Sequence, residues 1–259
     1  VAAGEILVED VHKSFRAYHS RSFKELAIRL ARGEPISERR PVLQGVDLRI
    51  APGERVGITG RNGAGKSTLF RLLSGIYRPD RGRIAVGGRI APLIEITSGL
   101  VLDLTGRENI YLNAVILGLT RREARRRFDD IVAFAGLEDF VDTPVRYYSS
   151  GMQARLGFSV VAHVDAEILL IDEVLAVGDA EFQQRCLSRM VDLNRSGATI
   201  VFVSHDSAQI NTFCSRVTQL NAGKLHACIA SNSDTPEDPG VQYRLSDDRI
   251  PGMQMSIPR

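Results

Sequence analysis

No stretch of this 259-residue chain reaches the roughly 18–20 consecutive apolar residues that a membrane-crossing helix needs. A secretory leader is missing too, because Glu5, Glu9 and Asp10 interrupt any apolar run near the start. The expectation is a chain that stays in the cytosol unless something recruits it to a surface. Cysteine is scarce. Cys186, Cys214 and Cys228 stand far apart, without the paired spacing of a zinc or redox site, and they read as reduced structural thiols. Charge of one sign is also lacking: 33 basic against 31 acidic side chains leave a net +2, which makes no compositional case for nucleic acid. Hydrophobic content of 44% and charged content of 25% are ordinary for a globular protein. The length suits one large domain, or a domain with a small subdomain.

Against that unremarkable background, Gly60 to Ser67 reads GRNGAGKS and matches G-x-x-x-x-G-K-[ST]. Glycines let a backbone curl tightly and aim its N–H groups at an anion. Lys66 then brings an ammonium to the β- and γ-phosphates, and the Ser67 hydroxyl is placed to ligate Mg²⁺. The flanks agree. Arg55 to Thr59 reads as a buried strand, and Thr68 to Ser74 as a helix whose N-terminus faces the phosphates. Gly60, Arg61, Asn62, Gly63, Ala64, Gly65, Lys66, Ser67 and Thr68 are therefore candidate nucleotide-binding residues.

Taken in order, Ile6 to Val11 alternates as a strand and His12 to Tyr18 reads as a loop. Between Ser20 and Arg32, Phe23, Leu26, Ala27 and Leu30 fall on one helical stripe, with Arg21, Lys24, Arg29 and Arg32 off it. This basic amphipathic helix is either a surface helix packed on the core or one resting at a membrane interface, where arginines meet lipid phosphates. Gly33 to Arg40 reads as a linker, Leu43 to Ile50 as a strand, and Arg78 to Gly82 as a turn. Arg83 to Ile96 holds short strands broken by Gly87 and Gly88. Gly106 to about Gly136 is helical, with Thr120 and Glu123 forming a capping box. The arginines at 121, 122, 125, 126 and 127 read as a solvated helix face, since Glu123, Asp129 and Asp130 interrupt them. Further helices are expected over Ser149–His163, Ala180–Asn194 and Asp206–Cys214. Strands are expected over Ile168–Ile171, Thr199–Val203 and Arg216–Leu220. Alternating strands and helices predict a parallel α/β core. The segment from Ser231, with Pro236, Pro239, Pro251 and Pro258, reads as mostly irregular.

Three further features narrow the chemistry. The apolar run Ile168–Ile171 ends in Asp172 and Glu173. Acids at the tip of a buried strand are costly unless used. In P-loop enzymes the first holds Mg²⁺, and the second, here Glu173, is placed to polarise the attacking water. His205 ends the next apolar strand, on the edge where α/β folds bind ligands, and is a candidate γ-phosphate sensor. Ser149, Ser150 and Gly151 open a helix and offer a second anion site of hydroxyls and backbone N–H groups.

In this set the sequence resembles the ATP-binding subunit of ABC transporters, over roughly residues 5 to 228. Gly60–Ser67 looks like Walker A, and Ile168–Glu173 like Walker B with its catalytic glutamate. Ser149–Met152 looks like a variant signature motif, Ala176–Asp179 like the D-loop with Asp179 at the nucleotide, and His205 like the switch histidine. Leu104–Asn113, Tyr148–Met152, Asp172–Asp179 and the insertion 17–40 resemble the branch that exports bacterial polysaccharides: O-antigen, capsule and teichoic acid. In that branch a helix of the insertion lies at the membrane interface.

The resemblance implies a P-loop NTPase core with an antiparallel β subdomain and an α-helical signature subdomain at about 100–163. The ATP-binding domain would cover 1–230, with an irregular tail at 231–259. It implies ATP and Mg²⁺ as ligands, and a head-to-tail homodimer on the cytoplasmic face of the membrane. A separate transmembrane permease in two copies would carry a lipid-linked glycan, with no nucleic-acid partner. The metal set would be Ser67, Asp172 and Glu95, the last standing where most relatives carry the Q-loop glutamine. Phe15 fits the adenine-stacking position by spacing, with Tyr18 as the alternative; such stacking is worth about 1–3 kcal/mol. The tail is too short for the carbohydrate-binding β-sandwich of some O-antigen exporters, so recognition of a polymer end by this chain is not expected. Rival readings are an ABC subunit for a small solute or drug, and a soluble ABC ATPase acting on nucleic acid or ribosomes. The signature variant and the insertion count against the first, and the absence of a second cassette or a long coiled-coil insertion against the other.

Overall fold

The computed structural model describes residues 1–18, 37–93, 99–172, 178–204 and 207–226. The expected amphipathic helix at 20–32, Glu95, Glu173, His205, Cys228 and the tail at 231–259 lie outside the described residues, as does the Tyr18 side chain.

The strands are β1 (Ile6–Tyr18), β2 (Ser37–Ile50), β3 (Arg55–Thr59), β4 (Arg81–Val86), β5 (Ile90–Leu93), β6 (Ile168–Asp172), β7 (Thr199–Val203), β8 (Arg216–Asn221) and β9 (Lys224–His226). The helices are α1 (Lys66–Leu73), α2 (Gly106–Ile116), α3 (Arg121–Ala135), α4 (Ser150–Ala162), α5 (Ala180–Arg195) and α6 (Ser207–Phe213). A six-stranded sheet in the order β5-β6-β7-β3-β8-β9 is parallel except for β9, and a three-stranded antiparallel sheet has the order β2-β1-β4.

The parallel sheet is covered on both faces, which is why its strands read as unbroken apolar runs rather than alternating ones. Successive residues of β6 and β7 point to opposite layers. Ile168, Leu170, Val201 and Val203 join Leu69, Phe70 and Leu73 of α1 and the inner face of the antiparallel sheet. Leu169, Ile171, Ile200 and Phe202 join Phe182, Cys186 and Met190 of α5 and Ile210 of α6. In β3 the close approach of α6 requires glycine, because a Cβ on Gly57 would lie 2.3 Å from Ile210 Cγ2. The two described cysteines, Cys186 and Cys214, are buried thiols outside any disulfide, and burial pushes both up to about 12. That suits inert core residues.

The helical layer has its own core, centred on Ile110, Ala124, Ile131, Val145 and Leu156. Its helices start where the sequence provides caps. Thr120 and Glu123 form the expected capping box, and Thr105 with Glu108 forms another at the start of α2. Asn109, fully buried, accepts from Val101 N–H at 2.8 Å and donates to the Val101, Leu104 and Thr105 carbonyls, which pins the loop leading into α2.

Two sequence expectations need correction. His12–Tyr18 is not a loop: β1 runs on to Tyr18, with register shifts between Val8 and Ser14 that break the alternation expected of a strand. The linker ends earlier than expected, because β2 begins at Ser37. Polarity and Pro35 favour a linker up to Arg40, but residues 37–40 pair with β1, and β2 is an edge strand, where the missing N–H donor of Pro41 is tolerated. Strand β9 was also not expected. It follows a two-residue turn in which Ala222 (φ 45°) and Gly223 (φ 77°) are both left-handed, the pattern of a type I′ hairpin.

Asp80 fastens β4 to β1. Its carboxylate accepts from Lys13 Nζ at 2.9 Å and from the Ser14 N–H and hydroxyl at 2.7 Å each. The Lys13 and Ser14 hydrogen bonds lower its pKa to about 2. A lowered carboxylate pKa stabilises the fold above the ordinary value near 4, and that contribution is lost as pH falls through the folded-state value. The difference in urea-unfolding free energy between the native chain and Asp80→Asn is therefore expected to be constant from pH 8 to 5. It should narrow as pH drops from about 4 toward 2; a difference independent of pH would show that the ionised carboxylate contributes nothing.

Candidate functional site

The loop Gly60–Gly65 connects β3, near the centre of the parallel sheet, to α1. Its glycines serve different needs. Gly60 (φ 154°) lies so close to β8 that a Cβ would sit 2.2 Å from the Leu220 carbonyl oxygen. Gly65 (φ 109°) is the residue before α1, and a Cβ there would meet Leu43 Cδ2 at 2.9 Å. Gly63 (φ 80°) faces open space, so only its backbone conformation calls for glycine. Lys66 is 8% exposed, and its ammonium donates to the Gly60 carbonyl at 2.7 Å. The cation is thereby held over the loop's own concavity. Arg61, Asn62, Gly63 and Ser67 are exposed, Thr68 is half-buried and Ala64 is buried. The α1 N-terminus, left-handed glycines and a cation together form an anion-binding cradle.

Asp172 ends β6 at the same edge. It pairs in register with Val203 of β7, and Val203 pairs with Ile58 of β3. Asp172 therefore stands level with the start of the loop, two strand spacings or about 10 Å away. The residues present fit Mg²⁺ as P-loop proteins bind it. One hydroxyl, on exposed Ser67, and one carboxylate, on half-buried Asp172, stand at this edge, where phosphates would supply the remaining oxygens.

Ser149–Gly151, expected as a second anion site, stands at a helix N-terminus. Ser149 caps α4, its Oγ accepting from Met152 N–H at 3.2 Å. Ser149 and Ser150 are exposed, and Gly151 is half-buried. Buried Tyr148 anchors the preceding turn by donating its hydroxyl to the Phe140 carbonyl at 2.7 Å. Helix α4 packs on α2, α3, α5 and β5, whereas α1 packs on β2, β4 and β6. In the sheet, β5 and β3 are three spacings apart, about 14 Å.

Asp179 caps α5, accepting from Phe182 N–H at 2.8 Å. That hydrogen bond, aided by Arg155, keeps its carboxyl below the ordinary range. Arg155 of α4, 3.8 Å from Asp179, is a residue that sequence reasoning missed. Nothing in the local pattern of an amphipathic helix marks one arginine as reaching another element. Phe15 is 38% exposed, its ring edge-on to Tyr77 at 5.4 Å. Tyr77 was missed for the same reason. The structure thus brings Gly60–Thr68 and Asp172 to one sheet edge, and it places Ser149–Gly151 on a separate subdomain.

An α/β core with a phosphate-binding loop, a neighbouring strand ending in Asp172 and an attached helical subdomain defines a nucleotide-hydrolysing cassette. The ABC transporter family model matches residues 43–176, and the chain belongs to that family. It is an ATP-binding, ATP-hydrolysing protein of that type. It is 45% identical over 225 residues to the O-antigen export system ATP-binding protein RfbB of Myxococcus xanthus, covering 84% of this chain and 52% of the relative. It is 42% identical over 220 residues to the protein of the same name from Klebsiella pneumoniae, covering 83% and 89%. The chain thus spans about half the length of the first relative and most of the second. The fold is that of the dimeric post-hydrolysis cassette MJ0796 bound to ADP and Pi, with TM-score 0.69, 21% identity, and 86% and 98% of the two chains covered.

Gly60 and Gly63 separate steric from conformational demand. Gly60→Ala is expected to weaken binding of a fluorescent ATP analogue at least about tenfold more than Gly63→Ala, since each 1.4 kcal/mol of strain is tenfold in affinity. Equal affinities for the two variants would mean that the loop does not bind nucleotide in this conformation.

Proposed function

We propose that this chain is the ATPase subunit of an exporter that moves a lipid-linked polysaccharide of the O-antigen, capsule or teichoic-acid type across the cytoplasmic membrane. The observation that carries the reading is the likeness at 42–45% identity to proteins named as O-antigen export ATP-binding subunits. The phosphate cradle and the acid-tipped strand at one sheet edge support it. The cassette extends over residues 1–230, with an insertion at 17–40 and a helical subdomain at about 100–163. It works at the cytoplasmic face, against a permease present in two copies. Among the described residues no helix is long and apolar enough to cross a membrane. Val101, Leu102 and Tyr147 are exposed apolar residues beside α4, and Arg146 N–H donates to the Leu102 carbonyl at 2.9 Å to hold the two loops together. They suit contact with a second subunit.

Two copies assemble head to tail. Gly60–Thr68 of one chain and Ser149–Gly151 of the other enclose each ATP, with Asp179 at the same seam. The separation of α1 and α4 within one chain favours this arrangement over a single-chain site. Phe15 stacks on the adenine, Lys66 and the loop N–H groups hold the β- and γ-phosphates, and Ser67, Asp172 and Glu95 hold Mg²⁺. The metal supplies charge neutralisation between the phosphate oxygens. Glu173 draws the proton from the attacking water, and His205 contacts the γ-phosphate. ATP favours the closed dimer because it binds that state better, and hydrolysis removes the preference. The motion reaches the permease through the segment at Glu95 and helices α2 and α3.

Glu173→Gln is expected to slow hydrolysis about 10²–10⁴-fold and to form a dimer with Mg-ATP, seen as doubled mass in solution. Adding Ser150→Arg should abolish that dimer. A monomer for Glu173→Gln with ATP bound, both alone and with the permease present, would sink the two-chain site. For the cargo, ATP turnover by the isolated complex should rise with a lipid-linked glycan, and a rise with small solutes alone would replace the export reading.

A further inference from the structure

Beyond His12, β1 loses β4 and pairs only with β2, so residues 13–18 and 37–43 form a two-stranded ribbon leaving the cassette. In this ribbon Arg16 stands directly opposite Arg39. Directly opposed residues share a face and have Cβ atoms about 4.5–5.5 Å apart, and like charges so placed destabilise the pairing. The usual remedy is a carboxylate between them. The carboxylate that lines the same hollow, Asp80, is already held by Lys13 and Ser14, and among the described residues neither guanidinium has an ion-pair or hydrogen-bond partner. Both arginines, with Ser14 and Asp80, line an open hollow of about 340 Å³. Phe15 and Arg40 fall on the opposite face, where the Phe15 ring meets Tyr77, so the hollow faces away from the nucleotide edge.

The surrounding charge is segregated in the same place. Residues 13–40 hold eight basic and three acidic side chains, a local +5 in a chain whose total is +2. The ribbon leads directly into the segment 20–32, whose sequence alternates apolar and basic residues at helical spacing. A ribbon that keeps two guanidiniums opposed and exposed stores a demand for an external anion with several acceptor oxygens.

We propose that Arg16 and Arg39 form a clamp for the phosphate of an anionic phospholipid headgroup, which fixes the β1–β2 ribbon to the membrane surface. The inference goes beyond the export reading and takes from it only that the cassette works beside a membrane. The clamp is independent of hydrolysis, because it lies on the ribbon face opposite Phe15.

The test is flotation of the full-length chain with phosphatidylglycerol-containing and with pure phosphatidylcholine vesicles. Binding to the anionic vesicles is expected to weaken about thirtyfold in the double variant Arg16→Gln/Arg39→Gln, since each basic residue at such a surface contributes roughly fivefold. Arg39→Glu separates binding from folding. It places opposite charges across the strands, so its melting temperature should equal or exceed that of the native chain while vesicle binding falls at least as far. ATP turnover without lipid should stay within about twofold in all of these variants, so a failed vesicle result leaves the ATPase reading standing. Undiminished binding by the double variant overturns the proposal. An equal loss from Arg121→Gln/Arg125→Gln on α3 also overturns it, by showing diffuse attraction to any basic face. Protection of the ribbon by inorganic phosphate, with no vesicle binding, would reassign the clamp to a free anion.

Discussion

The candidate site depends on one register. Ile58 of β3, Val203 of β7 and Asp172 of β6 pair side by side in a parallel sheet buried on both faces. Because the strands run parallel, their C-terminal ends meet at one edge, and the loops that follow them share the same space. A slip of one residue in β6 would turn its apolar residues to the wrong layers and carry Asp172 off the edge. The same pairing explains the glycine at position 60: β8 lies beside β3, and its Leu220 carbonyl occupies the space a side chain would need.

Around that edge the molecule is built in layers with distinct cores. The helical subdomain has a core of its own, and Phe158, Val161 and Ala162 of α4 join it to the layer formed by the parallel sheet and α5. At its margin Arg155 reaches Asp179 at 3.8 Å, and an ion pair of that length adds little stability beside the apolar packing. Asp179 caps α5, and the proposed two-chain site gives it a second task at the nucleotide seam. The antiparallel sheet carries Phe15, against Tyr77, on one face of the ribbon and the opposed arginines on the other.

Much of this was legible in the sequence where the signal is local. Left-handed glycines followed by a lysine, an apolar run ending in Asp172, and Thr120 three residues before Glu123 each encode their geometry within a few positions, and each took the expected form. Local reading failed where pairing overrode propensity. The loop expected at His12–Tyr18 is strand because β2 supplies a partner through bulges, and β2 accepts Pro41 because it lies at a sheet edge. The Ala222–Gly223 turn produced a ninth strand that no alternation announced.

What the sequence determined by itself was the inventory of parts: a phosphate loop, a strand carrying Asp172 at its tip, a helix opening on two serines, and the order in which they come. Each follows from short-range backbone chemistry. The tertiary structure decided their placement. It set Asp172 level with the phosphate loop, put Ser149–Gly151 on a different subdomain from Gly60–Ser67, joined Phe15 to Tyr77 and opposed Arg16 to Arg39. These relations depend on strand register and on sheet order, which bring together residues separated by tens to more than a hundred positions, and no local periodicity encodes such distances.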